Sequence, residues 1–137
     1  MRSILPVVFY RPFMFALLAA LVAFAVTAPA APVSAAAVTV TNLNDSGTGS
    51  LREAIAGTGD PIDFLASLSG VITLTSGQLL IERDVTINGP GATTMTIDGN
   101  ASSLVFRING GNTVSISGFT IANGKSTFGG AISNGAY

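Results

Sequence analysis

The sequence predicts an all-β fold: a parallel β-helix with three strands per coil, roughly three coils, and a short capping helix near its start. Three observations carry this reading. From Val71 onward, short segments alternate apolar and polar residues with period two, and clusters of Gly, Asn, Ser and Pro separate them. The last apolar residues of these segments form three interleaved series. Leu74, Ile97 and Ile121 are 23 and 24 apart; Ile81, Ile108 and Ile132 are 27 and 24 apart; Ile87 and Ile116 are 29 apart. An antiparallel sandwich takes the same alternation, but a solenoid also returns to an equivalent position after every third strand. Finally, "GSLREAIAG" (49–57) has helical spacing in a chain that otherwise reads as strands and turns.

Taken in order, the chain opens with Arg2 and Arg11 around a basic start, and no further charge appears until Asp45. Between them, Phe13 to Val26 is a continuous apolar run, followed by the small-residue and Pro-containing "TAPAAPVSAAA". A positive start, an apolar centre and a small-residue exit are the parts of a secretory signal peptide. Residues 1–35 are expected to leave after Ala35, or after Ala37. The competing reading is a retained membrane anchor, since an uncharged stretch this long nearly spans a bilayer. The Pro-rich exit favours removal, so contact with a membrane is expected only through the signal peptide. The expected address is secreted or cell-surface.

Removing 35 residues, two of the six basic ones among them, while keeping all seven acids, turns the net charge from −1 to −3. Such a weakly acidic domain carries no electrostatic footprint for nucleic acid. With no Cys, it has neither a disulfide framework nor the Cys a lipoprotein needs. Packing and backbone pairing must hold it together.

Residues 36–70 read as an N-terminal cap. "VTVTN" and "IDF" supply its strands, and residues 51–56 its helix. Ser50 and Glu53 fit a capping box, while Leu51, Ala54 and Ile55 share one side of about two turns before Gly57. So short a helix is unstable alone. It makes sense as a plug over the mouth of a coil, because an open solenoid end exposes its interior and a row of unpaired backbone groups.

Residues 71–137 read as the coils. Ile72, Leu74, Leu79, Ile81, Val85, Ile87, Met95, Ile97, Leu104, Phe106, Ile108, Val114, Ile116, Phe119, Ile121 and Ile132 form the dry face. "INGPG", "IDGN", "INGG", "ISG", "IANG" and "ISNG" mark the corners, where Gly and Asn tolerate positive φ. Asn109 and Asn134, 25 apart, either stack as a step of an amide ladder or serve as ordinary turn residues. The chain stops at "FGGAISNGAY", inside what reads as a further coil, so a truncated piece of a longer protein is expected, with the rest of its own chain as a partner.

"VTNLNDSGTGSLREAI" resembles the CSLREAI-type segment at the start of many exported bacterial β-helix proteins, with Gly49 where that segment has Cys. The following stretch, from Asp60 to Asn100, is similar to the coils that usually come next. "FGGAISN" (128–134) resembles the GGAI motif of polymorphic outer-membrane-protein repeats, and "FRIN" (106–109) its FxxN partner. The resemblance implies a right-handed, pectate-lyase-like β-helix on a secreted or surface protein. It implies no activity.

Because some β-helices cleave acidic polysaccharides, the charged residues need weighing. Asp63, Asp84 and Arg107 are 21 and 23 apart, close to one coil, and could stack as a polar column that binds calcium or a uronate. The alternative is three solvated corner charges. Fold analogy cannot carry an enzyme claim, and there is no His for acid–base work. No run matches an EF-hand loop or a thiolate or imidazole metal site, and the Gly-rich "NDSGTGS" lacks the P-loop Lys. No cofactor is expected. Aromatics for sugar stacking are few: Phe128 is the one turn aromatic that could be exposed, and it is expected to pack between coils. The sequence therefore favours an adhesin-like scaffold whose Thr, Ser and Asn faces meet extracellular glycans or surfaces. The N-terminal fragment of a polysaccharide lyase or glycoside hydrolase is the alternative.

Overall fold

The computed structural model describes residues 35–127 and 130–135. Ten strands and one helix lie among them: β1 Val38–Val40, α1 Leu51–Ala56, β2 Ile62–Phe64, β3 Gly70–Thr73, β4 Leu79–Ile81, β5 Val85–Asn88, β6 Met95–Asp98, β7 Phe106–Ile108, β8 Val114–Ser117, β9 Thr120–Ala122 and β10 Ile132–Asn134. All pairings are parallel. The sheets run β1-β2-β5-β8, β3-β6-β9 and β4-β7-β10, so every third strand is a spatial neighbour. This is a parallel β-helix of three complete coils beneath a layer formed by β1 and α1. The expected signal peptide, Phe128, the Gly129 of the GGAI motif and Tyr137 lie outside the described residues.

Because strands in a coil present alternate residues inward, one face of each is dry. Ile62, Ile72, Leu79, Ile81, Ile87, Met95, Ile97 and Phe106 are almost completely buried. Each such side chain contributes about 1.5–3 kcal/mol on leaving water. Val105 is also fully buried, against the parity that places Leu104, Phe106 and Ile108 inside. The chain bends just before β7, and there Leu104 and Val105 both enter the core. The Val105 carbonyl meanwhile accepts the Leu79 amide of the coil above, at 2.8 Å.

The registers correct two of the expected columns. Ile97 and Ile121 stack under Ile72, not under Leu74. Leu74 lies one step past β3, and the residue one step past the equivalent β6 is Gly99, so counting by last apolar residue slips one pleat. Ile132 pairs with Phe106, and Ile108 faces Asn134, so the Asn109–Asn134 step does not form. Ile81 over Ile108 and Ile87 over Ile116 stand as expected. The third coil is less dry than its alternation suggests. Val114, Ile116, Phe119 and Ile121 are half-buried, and Ile132 is 43% exposed, because no described coil lies beneath them. The first complete coil starts at Ile62, inside the stretch expected to belong to the cap.

Corners set the approach of one coil to the next. At the corner after β5, a Cβ on Gly89 would lie 2.2 Å from the Gly118 carbonyl oxygen. One on Gly118 would lie 2.3 Å from the Gly89 oxygen, and Gly118 has φ +74°. The two glycines occupy equivalent corners 29 residues apart, with the Gly89 amide donating to the Ser117 carbonyl and the Gly91 amide to the Gly118 carbonyl. The missing side chain at Gly89 also makes room for Phe119. Its ring lies 6.2 Å from Phe64 and 6.0 Å from Phe106, in the range of favourable tilted aromatic pairs. Asn100 and Asn123 take positive φ as their corners require; Ala101, at φ 50°, does so without Gly or Asn chemistry.

Gly118→Ala combines a left-handed backbone with a backbone clash and should lower unfolding free energy by about 3–5 kcal/mol. Gly111→Ala, also at positive φ but with open space around its Cβ, should cost about 1–2 kcal/mol. Urea denaturation midpoints of the two variants give the comparison.

Candidate functional site

The helix forms where the sequence places its caps. The Ser50 hydroxyl accepts the Glu53 amide at 3.2 Å, with Ser50 in extended conformation (φ −79°, ψ 158°). Glu53 reaches back one residue further than a standard capping box: its carboxylate accepts the Gly49 amide at 2.7 Å, while the Ser50 amide donates to the Gly47 carbonyl. Leu51, Ala54 and Ile55 are buried against the barrel interior. At the other end the Gly57 amide donates to the Glu53 carbonyl, and Gly57 is extended (φ −78°), so the helix ends without a left-handed cap.

Two arginines and one aspartate tie this lid to the first coil, and the sequence reading gave them no such role. Asp45 pairs with Arg52 at 2.6 Å, the one ion pair among the described residues. Its other oxygen accepts the Thr75 and Ser76 amides and the Thr75 hydroxyl. Arg52 also donates to the carbonyls of Asp45, Gly77 and Gln78, over the corner between β3 and β4. Arg83, at the corner after β4, donates to the carbonyls of Gly59 and Ala54. Desolvation pushes the Asp45 carboxyl up, but Arg52, Ser76 and Thr75 together outweigh it and hold the group well below the usual carboxylate range.

A groove of about 470 Å³ lies between α1 and β4, walled by Arg52, Ile55, Gln78, Leu80, Glu82 and Arg83. The terminal guanidinium nitrogens of Arg52 and Arg83 are turned onto backbone carbonyls, while the buried Arg83 Nε has no hydrogen-bond partner among the described residues. A depression of about 480 Å³ lies between α1 and β1, lined mainly by Thr and Gly, with Ser50 and Glu53 at its wall. No cluster of three or more metal-ligating side chains occurs among the described residues. No helix among them is long and apolar enough to cross a membrane.

The polar column expected from Asp63, Asp84 and Arg107 does not assemble. Asp63 lies in β2 and Arg107 in β7, which belong to different sheets, and Asp84 sits at the corner before β5. A spacing near one coil does not guarantee a stack, because the loops between strands differ in length. Asp63 instead accepts the Asn88 side-chain amide at 3.0 Å, and Asp84 accepts the Thr113 amide at 2.6 Å. Arg107 stands in register between Leu80 and Ser133.

What emerges is a different pattern. Asp60 accepts the Thr86 amide, Glu82 the Asn109 side chain, and Asp98 both the Asn100 amide and the Asn123 side chain. With Asp45, Glu53, Asp63 and Asp84, every one of the seven acids accepts a hydrogen bond. Six reach a residue 25 to 31 positions further on, in the next coil or, for Asp45, from the cap to the first coil. Sequence spacing offered a signal for this: Asp63 and Asn88, and Asp98 and Asn123, are each 25 apart. Compared with known protein families, curated proteins and solved structures, the chain matches none of them.

Asp45→Ala should remove about 2–4 kcal/mol, since it leaves the Thr75 and Ser76 amides without their acceptor and Arg52 without its counter-charge, with only backbone carbonyls to hold it. Because the folded carboxyl titrates below its unfolded value, its contribution is complete above the ordinary carboxylate range and drains away as pH falls toward the depressed value. The wild-type chain should therefore lose stability on acidification. Asp45→Asn should show a shallower loss over the same range, read as urea midpoints against pH.

Proposed function

We propose that this chain is a capped, exported, right-handed β-helix of the CSLREAI type, serving as an adhesin-like surface scaffold. The observation that carries the reading is the state of the acids. All seven carboxylates hold backbone or side-chain donors of the cap and coils, and neither the groove beside β4 nor the depression beside β1 has more than one of them in its wall, where acid–base chemistry needs a pair. A carboxylate engaged in that way works as a coil-to-coil tie. Its structural use is already complete.

The outward faces suit weak, repeated contact. Thr39, Asp63, Asn88 and Ser117 form one file across four strands, and Thr96 and Thr120 stand side by side on another sheet. Short hydroxyl and amide groups at strand spacing, about 4.8 Å, offer hydrogen bonds to glycan hydroxyls at low individual affinity. At the lower side, β8, β9 and β10 present three strand edges and half-buried apolar residues. The leader read from the sequence gives the export route.

Incubation with pectin, alginate and related polymers, with and without calcium, should give no cleavage products, while a glycan array should show binding without turnover. Polymer cleavage that Asp84→Ala abolishes would overturn the scaffold reading in favour of a lyase or hydrolase.

A further inference from the structure

The chain contains four Asn-Gly pairs, at 88–89, 109–110, 123–124 and 134–135. Asn-Gly is chemically labile because a small neighbour lets its backbone nitrogen reach the asparagine side chain. The structure treats the four pairs differently. The Asn88 amide donates to Asp63 at 3.0 Å, that of Asn109 to Glu82 at 2.9 Å and that of Asn123 to Asp98 at 2.8 Å. In each case a carboxylate of the preceding coil fixes the amide. At the first pair the nucleophile is held as well, since the Gly89 amide donates to the Ser117 carbonyl at 2.8 Å.

Asn134 is the exception. It is exposed, and its side chain has no hydrogen bond among the described residues. Its register partner in the coil above is Ile108, which offers no side-chain acceptor. The 26-residue offset between β7 and β10 puts Gly135, not Asn134, level with Asn109. The Gly135 amide makes a long bond of 3.3 Å to the Ile108 carbonyl.

We propose that Asn134–Gly135 is a site of spontaneous deamidation, and that the coil-to-coil carboxylates protect the other three pairs. The Gly135 nitrogen gives up its proton to solvent and attacks the Asn134 side-chain carbonyl carbon. The new C–N bond closes a succinimide as the bond to Nδ2 breaks and ammonia leaves. Water then adds across one of the two imide C–N bonds, yielding aspartate or isoaspartate. Either product places a new negative charge on β10, the last described strand. Isoaspartate also routes the main chain through the side-chain carbon and disturbs the β10–β7 ladder. The inference stands apart from the scaffold reading.

The test incubates the folded chain in mildly alkaline buffer and follows each Asn by tryptic digestion and fragmentation mass spectrometry, with the same chain in guanidinium as reference. Breaking a charge-assisted amide bond costs about a tenfold factor in rate or more, so Asn134 should convert at least that much faster than Asn88, Asn109 and Asn123. In guanidinium the four rates should converge. Glu82→Ala should bring Asn109 toward the Asn134 rate. Equal rates in the folded chain, a protected pair reacting ahead of Asn134, or an Asn109 rate unchanged by Glu82→Ala would overturn the proposal. If that variant fails to fold, the site-by-site comparison in the wild-type chain still decides it.

Discussion

The structure depends on one constraint: no coil can enclose its own apolar face. A single circuit of three short strands leaves its inward Ile, Leu and Val open above and below. Parallel pairing with the next circuit closes that opening and, at the same time, fixes an offset of roughly one coil between neighbours. Ile72 over Ile97 over Ile121, and Ile62 over Ile87 over Ile116, are the direct result. The paired glycines at 89 and 118 belong to the same logic, since two corners approach within carbonyl contact when the strands between them are in register.

The few charges follow from this as well. Few residues of the chain are charged (9%), and six of the seven carboxylates stand where the next coil, or for Asp45 the first coil, presents a donor. Asp45 does the same for the lid: with Arg52 it joins the loop before α1 to the corner after β3. The helix is too short to persist alone. Burial of Leu51 and Ile55 and the two arginine contacts hold it over the mouth. The opposite end has no such cover among the described residues, and burial declines there from Ile108 to Ile132.

Much of this was legible in the sequence, for identifiable reasons. Period-two alternation and recurring Gly and Asn corners gave the strands, and their spacing gave the coil. Ser50, Glu53, Leu51 and Ile55 gave the lid. What the spacing could not give was the register to within one pleat, because loop lengths vary between coils. That is why Leu74 and Ile132 do not stand in the columns their spacing suggests. The same variation put Asp63 and Arg107 on different sheets despite a plausible separation. Asp45, Arg52 and Arg83 were illegible for another reason. Asp45 and Arg52 pair with each other, but most of their remaining partners, and those of Arg83, are backbone carbonyls and amides, which carry no residue signature, and only the path of the chain brings those groups together.

The fold stands or falls on coil-to-coil register, and a chain without Cys makes that directly measurable. Thr96 and Thr120 face outward on paired strands of one sheet, whereas Ser115 belongs to another. Neighbouring strands lie about 4.8 Å apart, within the Cα separation a disulfide spans. Under mild oxidation, the double variant Thr96→Cys with Thr120→Cys should cross-link readily within one chain, and Thr96→Cys with Ser115→Cys should not. Cross-linking of the second pair in place of the first would contradict the stacking on which the rest is built.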